Sequence, residues 1–200
     1  WRIEHFGSDH PLTLSSQANL GSALKEAGDY RRAGELEMHA LARRRAKLGN
    51  DHPDTLNSMI NVACGLRGAG LHEEAMDLEV EAFHAQMDRH GPDHPSTLTA
   101  LNNLAQTLCE MGRHADALPL QERVLETHLR LAGPDRAHTL ASMSNLSVTL
   151  MNLGRLEEAR NLADDALAGR ERLLGADHRD TARSREHLAE VVEKIMAWRR

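Results

Sequence analysis

Leu98, Leu101, Leu104, Ala105 and Leu108 fall three and four residues apart, with Asn102, Asn103 and Gln106 between them. That spacing lines one face of an α-helix with apolar side chains. A second stripe follows at Ala117, Leu120, Val124 and Leu125, and Leu129 and Leu131 extend it. The pattern predicts a hairpin of two helices, A and B. Asp93 is the expected N-cap of helix A, and Pro95 falls in the first turn, where a missing N–H does no harm. Gly112 is expected to end helix A in a left-handed C′ conformation. Gly133 ends helix B.

The hairpin pattern recurs at a step of 42 residues without insertion or deletion. Gly91-Pro92-Asp93-His94-Pro95-Ser96-Thr97-Leu98 is preceded by Gly49-Asn50-Asp51-His52-Pro53-Asp54-Thr55-Leu56 and by Gly7-Ser8-Asp9-His10-Pro11-Leu12-Thr13-Leu14. Gly133-Pro134-Asp135-Arg136-Ala137-His138-Thr139-Leu140 and Gly175-Ala176-Asp177-His178-Arg179-Asp180-Thr181-Ala182 follow it. Leu20, Val62, Leu104, Leu146 and Leu188 share one phase, as do Leu24, Leu66, Leu108 and Leu150. Ala33, Ala75, Ala117 and Ala159 form a small-residue column where helices A and B approach closely. Leu36, Leu78, Leu120 and Leu162 complete the seam. Burying each leucine contributes roughly 1.5–3 kcal/mol. One hairpin cannot bury both of its faces, so the hairpins must stack.

The expected units are 7–48, 49–90, 91–132 and 133–174, preceded by the end of a helix B over 1–6. A capping helix over 175–200 closes the series. Its Met196 replaces the terminating glycine, His187 replaces an in-phase asparagine, and Glu186, Glu190 and Glu193 make it more polar. It is expected to run to Trp198-Arg199-Arg200, with cations at the negative end of the helix dipole. The chain starts inside a helix phase, so it reads as a piece of a longer protein whose C-terminus is close to natural. Pro119 inside helix B is a local conflict, tolerated because it lies near the helix start.

Composition narrows the partners. The chain is 40% hydrophobic and 27% charged, as an ordered soluble protein is, and only 2% aromatic, so Leu, Ala and Met must form the core. A net charge of −6 argues against nucleic acid. No apolar run is long enough to cross a membrane. Cys64 and Cys109 do not make a disulfide framework, which points to a reducing cytoplasmic setting. Arg outnumbers Lys 21 to 3, a bias of GC-rich bacterial genomes.

Catalytic signals are missing. There is no Gly-rich phosphate loop, no His-Glu-x-x-His and no nucleophile elbow, so no enzyme activity and no cofactor are expected. His10, His52, His94 and His178 recur a whole repeat apart, too far to share a zinc whose ligands sit about 2.0 Å away. A turn or capping role is expected for them, and no metal. Glu73, Glu74, Glu157 and Glu158 sit at helix B starts, where the dipole favours them. Arg43-Arg44-Arg45 is expected on a solvated face, with contact to an acidic partner as the other reading.

Leu101-Asn102-Asn103-Leu104-Ala105, then Gly112, then Ala115-Asp116-Ala117, resembles the tetratricopeptide repeat. The usual unit has 34 residues; this chain looks like the 42-residue variety of kinesin light chains and many bacterial signalling proteins. The Asp-His-Pro-x-Thr-Leu opening, the Leu48-Gly49-Asn50-Asp51-His52 closing and the Ala117-Leu118-Pro119-Leu120 segment match that variety. The resemblance covers essentially the whole chain. Leucine replaces most of the usual aromatics, and Arg136-Ala137 and His178-Arg179 stand where His-Pro is expected, so those turns should be less rigid.

The resemblance implies an all-α, right-handed α-α superhelix whose A helices line a concave groove for extended peptides or partner helices. It maps groove positions onto Asn19, Asn61, Asn103 and Asn145, each able to donate and accept. Asn102, Gln106, Lys25, Arg67 and Cys64 join them, with Ser22, Asn57, Thr99, Cys109, Ser144, Val148 and Met151 nearby. Lys25 and Arg67 favour an acidic or neutral peptide over a basic one. The Asn column has a second reading, structural bonding between successive A helices, and the two can coexist. The implied function is non-catalytic protein or peptide binding in the recognition part of a larger bacterial signalling or sensor protein. The alternatives are a scaffold that self-associates end to end and a cytoplasmic receptor for a small signalling peptide. Neither nucleic acid nor membrane is an expected partner.

Overall fold

The computed structural model describes residues 11–198, apart from the side chains of Pro11, Ala18, Ser22, Lys25, Glu26, Tyr30 and Arg31. The expected helix end over 1–6, the first turn at Gly7 to His10 and the terminal Arg199-Arg200 lie outside the described residues. Within them the chain is helical, with no strand. The A helices are α1 (Pro11–Glu26), α3 (Pro53–Gly68), α5 (Pro95–Glu110) and α7 (Ala137–Asn152). Alternating with them are the B helices α2 (Tyr30–Leu48), α4 (His72–His90), α6 (His114–Ala132) and α8 (Leu156–Leu174). The final α9 spans Arg179–Trp198. The architecture is an all-α solenoid of stacked helix–turn–helix units.

Turn chemistry sets these boundaries. Gly91 takes φ 82° and ψ 175°, a region essentially closed to side-chain-bearing residues. Its amide donates to the Met87 carbonyl, ending α4. Gly112 has φ 73° and ends the A helix as the pattern predicts. His94 stands at the N-cap position, one residue after the expected Asp93, in the turn or capping role expected of the histidines. His94 Nδ1 accepts from the Ser96 amide at 3.2 Å. His52 Nδ1 accepts from Asp54 at 3.1 Å and His178 Nδ1 from Asp180 at 3.1 Å. The imidazole stands immediately before the first helical residue. Arg136, at the same phase, makes no side-chain cap.

The threonine after each cap closes the turn from inside. Thr97, Thr139 and Thr181 donate to the carbonyls of Gly91, Gly133 and Gly175 at 2.9, 2.8 and 2.8 Å. All three are buried, as is the leucine after the first two. Leu14, Leu56, Leu98 and Leu140, together with Leu101, are the most buried leucines among the described residues. Leu36, Leu78, Leu120 and Leu162 are half-buried. Leu20 is 51% exposed, unlike Val62 and Leu146 of the same column, which are buried. Ala33, Ala75, Ala117 and Ala159 are fully buried, as the close approach of helices A and B requires. Helix α6 runs unbroken through Pro119, its sixth residue.

The chain divides into two compact units, 1–107 and 108–200. The first has a core of Leu41, Leu56, Met59, Val62 and Ala82. The second packs Leu140, Met143, Leu146 and Leu150 against Ala159, Ala166, Val191 and Ile195. Aliphatic and thioether side chains fill both, as the low aromatic content demands.

Candidate functional site

The expected groove residues lie along the A helices. Asn19 and Asn145 are exposed, Asn61, Asn103 and Asn102 half-buried, and Gln106 and Cys64 exposed. The side chain of Lys25 lies outside the described residues. Arg67 is turned inward: its Nη1 donates to Glu79 Oε1 at 3.3 Å, and Glu79 is only 2% exposed. Its charge is therefore taken up inside the hairpin. One repeat later the same two positions hold Cys109 and Gln121, 3.7 Å apart; the repeat after that has Met151 and Ala163. Burial pushes the Cys109 thiol up from its ordinary range, with smaller opposing effects from Thr149 and Gln121. It is correspondingly poor in reactive thiolate.

A second polar position joins three of the B helices, α2, α6 and α8, to the helix that follows. Arg44 donates to Ser58, His128 Nδ1 lies 2.8 Å from Ser142 Oγ, and Arg170 donates to Ser184. Ser142 and Ser184 spend their own protons on carbonyls one turn back, so they accept these bonds. Arg44 is thus buried, at 7% exposure, against the expected solvated face; Arg45 pairs with Glu81 and Arg43 is exposed. Helical spacing turns Arg44 toward the next helix while its neighbour Arg43 faces water.

In the second unit these positions open onto a cleft of about 430 Å³. Ala141, Ser144, Asn145 and Val148 of α7 form one wall, and Asp180, Arg183, Ser184 and His187 of α9 form the other. Arg170 of α8 lies at the floor. Its Nη1 donates to Ser144 Oγ at 2.8 Å and to Ser184 Oγ, and its Nη2 to the Leu140 carbonyl at 3.2 Å. Asn145, Ser144 and Val148 come from the expected groove set; Arg170, Arg183 and Ser184 were not expected. Their signal in the sequence was faint, since Arg170 sits on a B helix and Arg183 occurs at this phase only in the last unit.

His187 stands at the phase of the Asn column. Its Nε2 lies 2.8 Å from Ser147 Oγ, and Ser147 donates to the Ala159 carbonyl at 2.7 Å. The hydroxyl proton is already used, so His187 donates. This is no serine–histidine nucleophile: Ser147 is fully buried and its proton points away from the imidazole. Burial lowers the His187 pKa, Glu190 opposes that and Lys194 adds to it.

A smaller cleft of about 260 Å³ lies between the start of α8 and the end of α9, lined by Arg155, Leu156, Ile195 and Trp198. Arg155 there pairs with Glu158 at 2.6 Å, which raises the guanidinium and lowers the carboxyl from their ordinary values. Among the described residues, no three His, Cys, Asp or Glu side chains gather as a metal site would require, and no helix is long and apolar enough to cross a membrane.

Repeated helix–turn–helix pairs define a helical-repeat scaffold. The chain belongs to the tetratricopeptide repeat family: one family model matches residues 13–54, 55–96 and 139–180, and a second matches 81–128 and 96–150. A structure of a Podosopora anserina protein described as a kinesin light chain with nearly identical TPR-like repeats is 26% identical. The match covers 92% of this chain and 87% of that one, at a TM-score of 0.80; its Q17M form gives 0.82. BtubC (BKLC) from P. vanneervenii is 21% identical over 96% of this chain and 78% of its own, with a TM-score of 0.79. A Rap protein complexed with competence and sporulation factor is 15% identical over 91% of this chain and 49% of its own, with a TM-score of 0.71. These last two share the fold. No curated protein sequence matches the chain.

Proposed function

We propose that this chain is a non-catalytic module that binds a peptide or partner protein along its A helices, in a concave groove. The observation that carries this is the cleft between α7 and α9. Asn145, which the repeat register singles out, stands there beside a half-buried cation and two hydroxyls. Tetratricopeptide repeats are in general protein-interaction modules, and the family is a non-catalytic scaffold. The recognition part of a larger bacterial cytoplasmic signalling or sensor protein is the setting we favour, on the arginine-rich composition and the repeat variety. The Rap structure with its bound factor supports the narrower reading of a receptor for a signalling peptide.

A peptide array probed with the folded chain tests this. The Asn61→Ala, Asn103→Ala, Asn145→Ala triple variant, with an unchanged circular dichroism spectrum, should lose the captured peptides. Equal capture by both forms would move binding away from the A helices. End-to-end self-association is the second reading, favoured by exposed Met196 and Trp198 near the end of α9. Light scattering separates it: a mass that stays monomeric at every concentration removes it.

A further inference from the structure

We infer that the outer stripe of α9 is a self-docking surface, on which a second copy of this chain lays its own α9 antiparallel; this rests on the self-association reading above and draws nothing from the groove. The stripe is Ala182, Arg185, Ala189, Glu193 and Met196. Successive steps of three, four, four and three residues keep all five on one side of the helix. Ala182 is half-buried and the other four are exposed, Met196 at 58%. Val191 and Ile195 point away from the stripe, into the core of the second unit. The same phases in α7 hold Leu140, Met143, Ser147 and Met151, all buried. There α8 covers the stripe: Ser147 donates to the Ala159 carbonyl, and Leu140 lies against Gly169. On α9 no described helix covers it, and two alanines and two opposite charges stand where α7 has core residues.

The order of these replacements points to the occupant. The spacing reads the same from either end, with Ala189 at its midpoint. A two-fold axis at Ala189 sets Arg185 against Glu193 of the second copy, and the pair occurs twice. Ala182 then meets Met196 of the second copy, small against large. The two Ala189 side chains let the helix axes approach to about 8 Å. A parallel arrangement would set Arg185 against Arg185 and Glu193 against Glu193, so like charges disfavour it. Arg185 reaches Glu171 of α8 at 3.0 Å, an exposed pair that is worth little in water and is open to exchange. Glu186 and Glu190 stand outside the stripe, and Glu190 is taken up by Lys194 at 3.5 Å. One helix pair of about four turns is a small interface, so the dimer is weak and concentration-dependent.

The test is sedimentation equilibrium of the chain from about 10 to about 500 µM, which reads the dimer Kd. The mass of the unaltered chain should rise from monomer toward dimer. Arg185→Glu and Glu193→Arg should each raise the Kd at least about tenfold, because each brings like charges together twice. The Arg185→Glu, Glu193→Arg double variant restores opposite charges and should return to within about threefold of the unaltered chain. All three should keep the circular dichroism spectrum, since both side chains are exposed. Ala189→Glu, which sets two carboxylates at the axis, should leave a monomer. A dimer that none of these changes weakens overturns the α9 pairing while self-association stands. Single changes that dissociate it without recovery in the double variant overturn the antiparallel register. A mass that stays monomeric at every concentration overturns the pairing and self-association together, and leaves groove binding untouched.

Discussion

His52, His94 and His178 cap their helices through an accepting Nδ1, a role that metal-ligand reasoning would miss. His94→Ala should cost about 0.5–2 kcal/mol, as loss of an N-cap does, and His94→Asn should recover most of it. Urea denaturation midpoints measure both; no shift for the alanine variant would leave the cap without energetic weight. Thr97→Val keeps the shape and deletes the bond to Gly91, and should cost about 0.5–1.5 kcal/mol. The sequence showed His94 and Thr97 as repeated letters and could not say which atoms they engage. Arg67 misled as a groove residue. Its partner Glu79 is 12 residues away on another helix, and only the folded hairpin shows the pair.

At the scale of the element, the helices were legible because glycine phase and leucine spacing agree at every repeat. Gly91→Ala tests that punctuation cleanly. The added Cβ meets nothing within 4 Å, so any loss is conformational, and about 1–3 kcal/mol is expected from the disallowed backbone. Gly169 is the opposite case. It sits within α8, and a Cβ there would clash with Leu140 Cδ2. Gly169→Ala should destabilise by about 1–3 kcal/mol through overpacking, and the Leu140→Ala, Gly169→Ala double variant should show non-additivity. A simple sum of the two single effects would mean the helices do not press on each other there. The cleft was less legible than the helices. Asn145 followed from the repeat, but Arg170 belongs to a helix-B column and faces the cleft only because α9 packs beside α7.

For the whole molecule, acid should weaken the fold through its second unit. His128 and His187 both lie below the ordinary value of 6.5, chiefly because burial disfavours the imidazolium. The unfolded chain therefore takes up these protons first. The stabilising effect is complete above pH 6.5 and declines as pH falls from there through the lowered folded values. Urea midpoints at pH 7.5, 6 and 5 (approximate settings that bracket this window) should fall in that order, and His187→Asn should flatten the slope. An unchanged slope would assign the acid response to other groups.

Because every step is the same length, excising residues 49–90 would leave the register intact. Yet it would join α2 to α5 and set Arg44 against Ala100 in place of Ser58. The joints of the array are thus individually matched. The separate pairings Arg44–Ser58, His128–Ser142 and Arg170–Ser184 make each copy a poor substitute for its neighbours, so recombination between them would be selected against even when the product still folds.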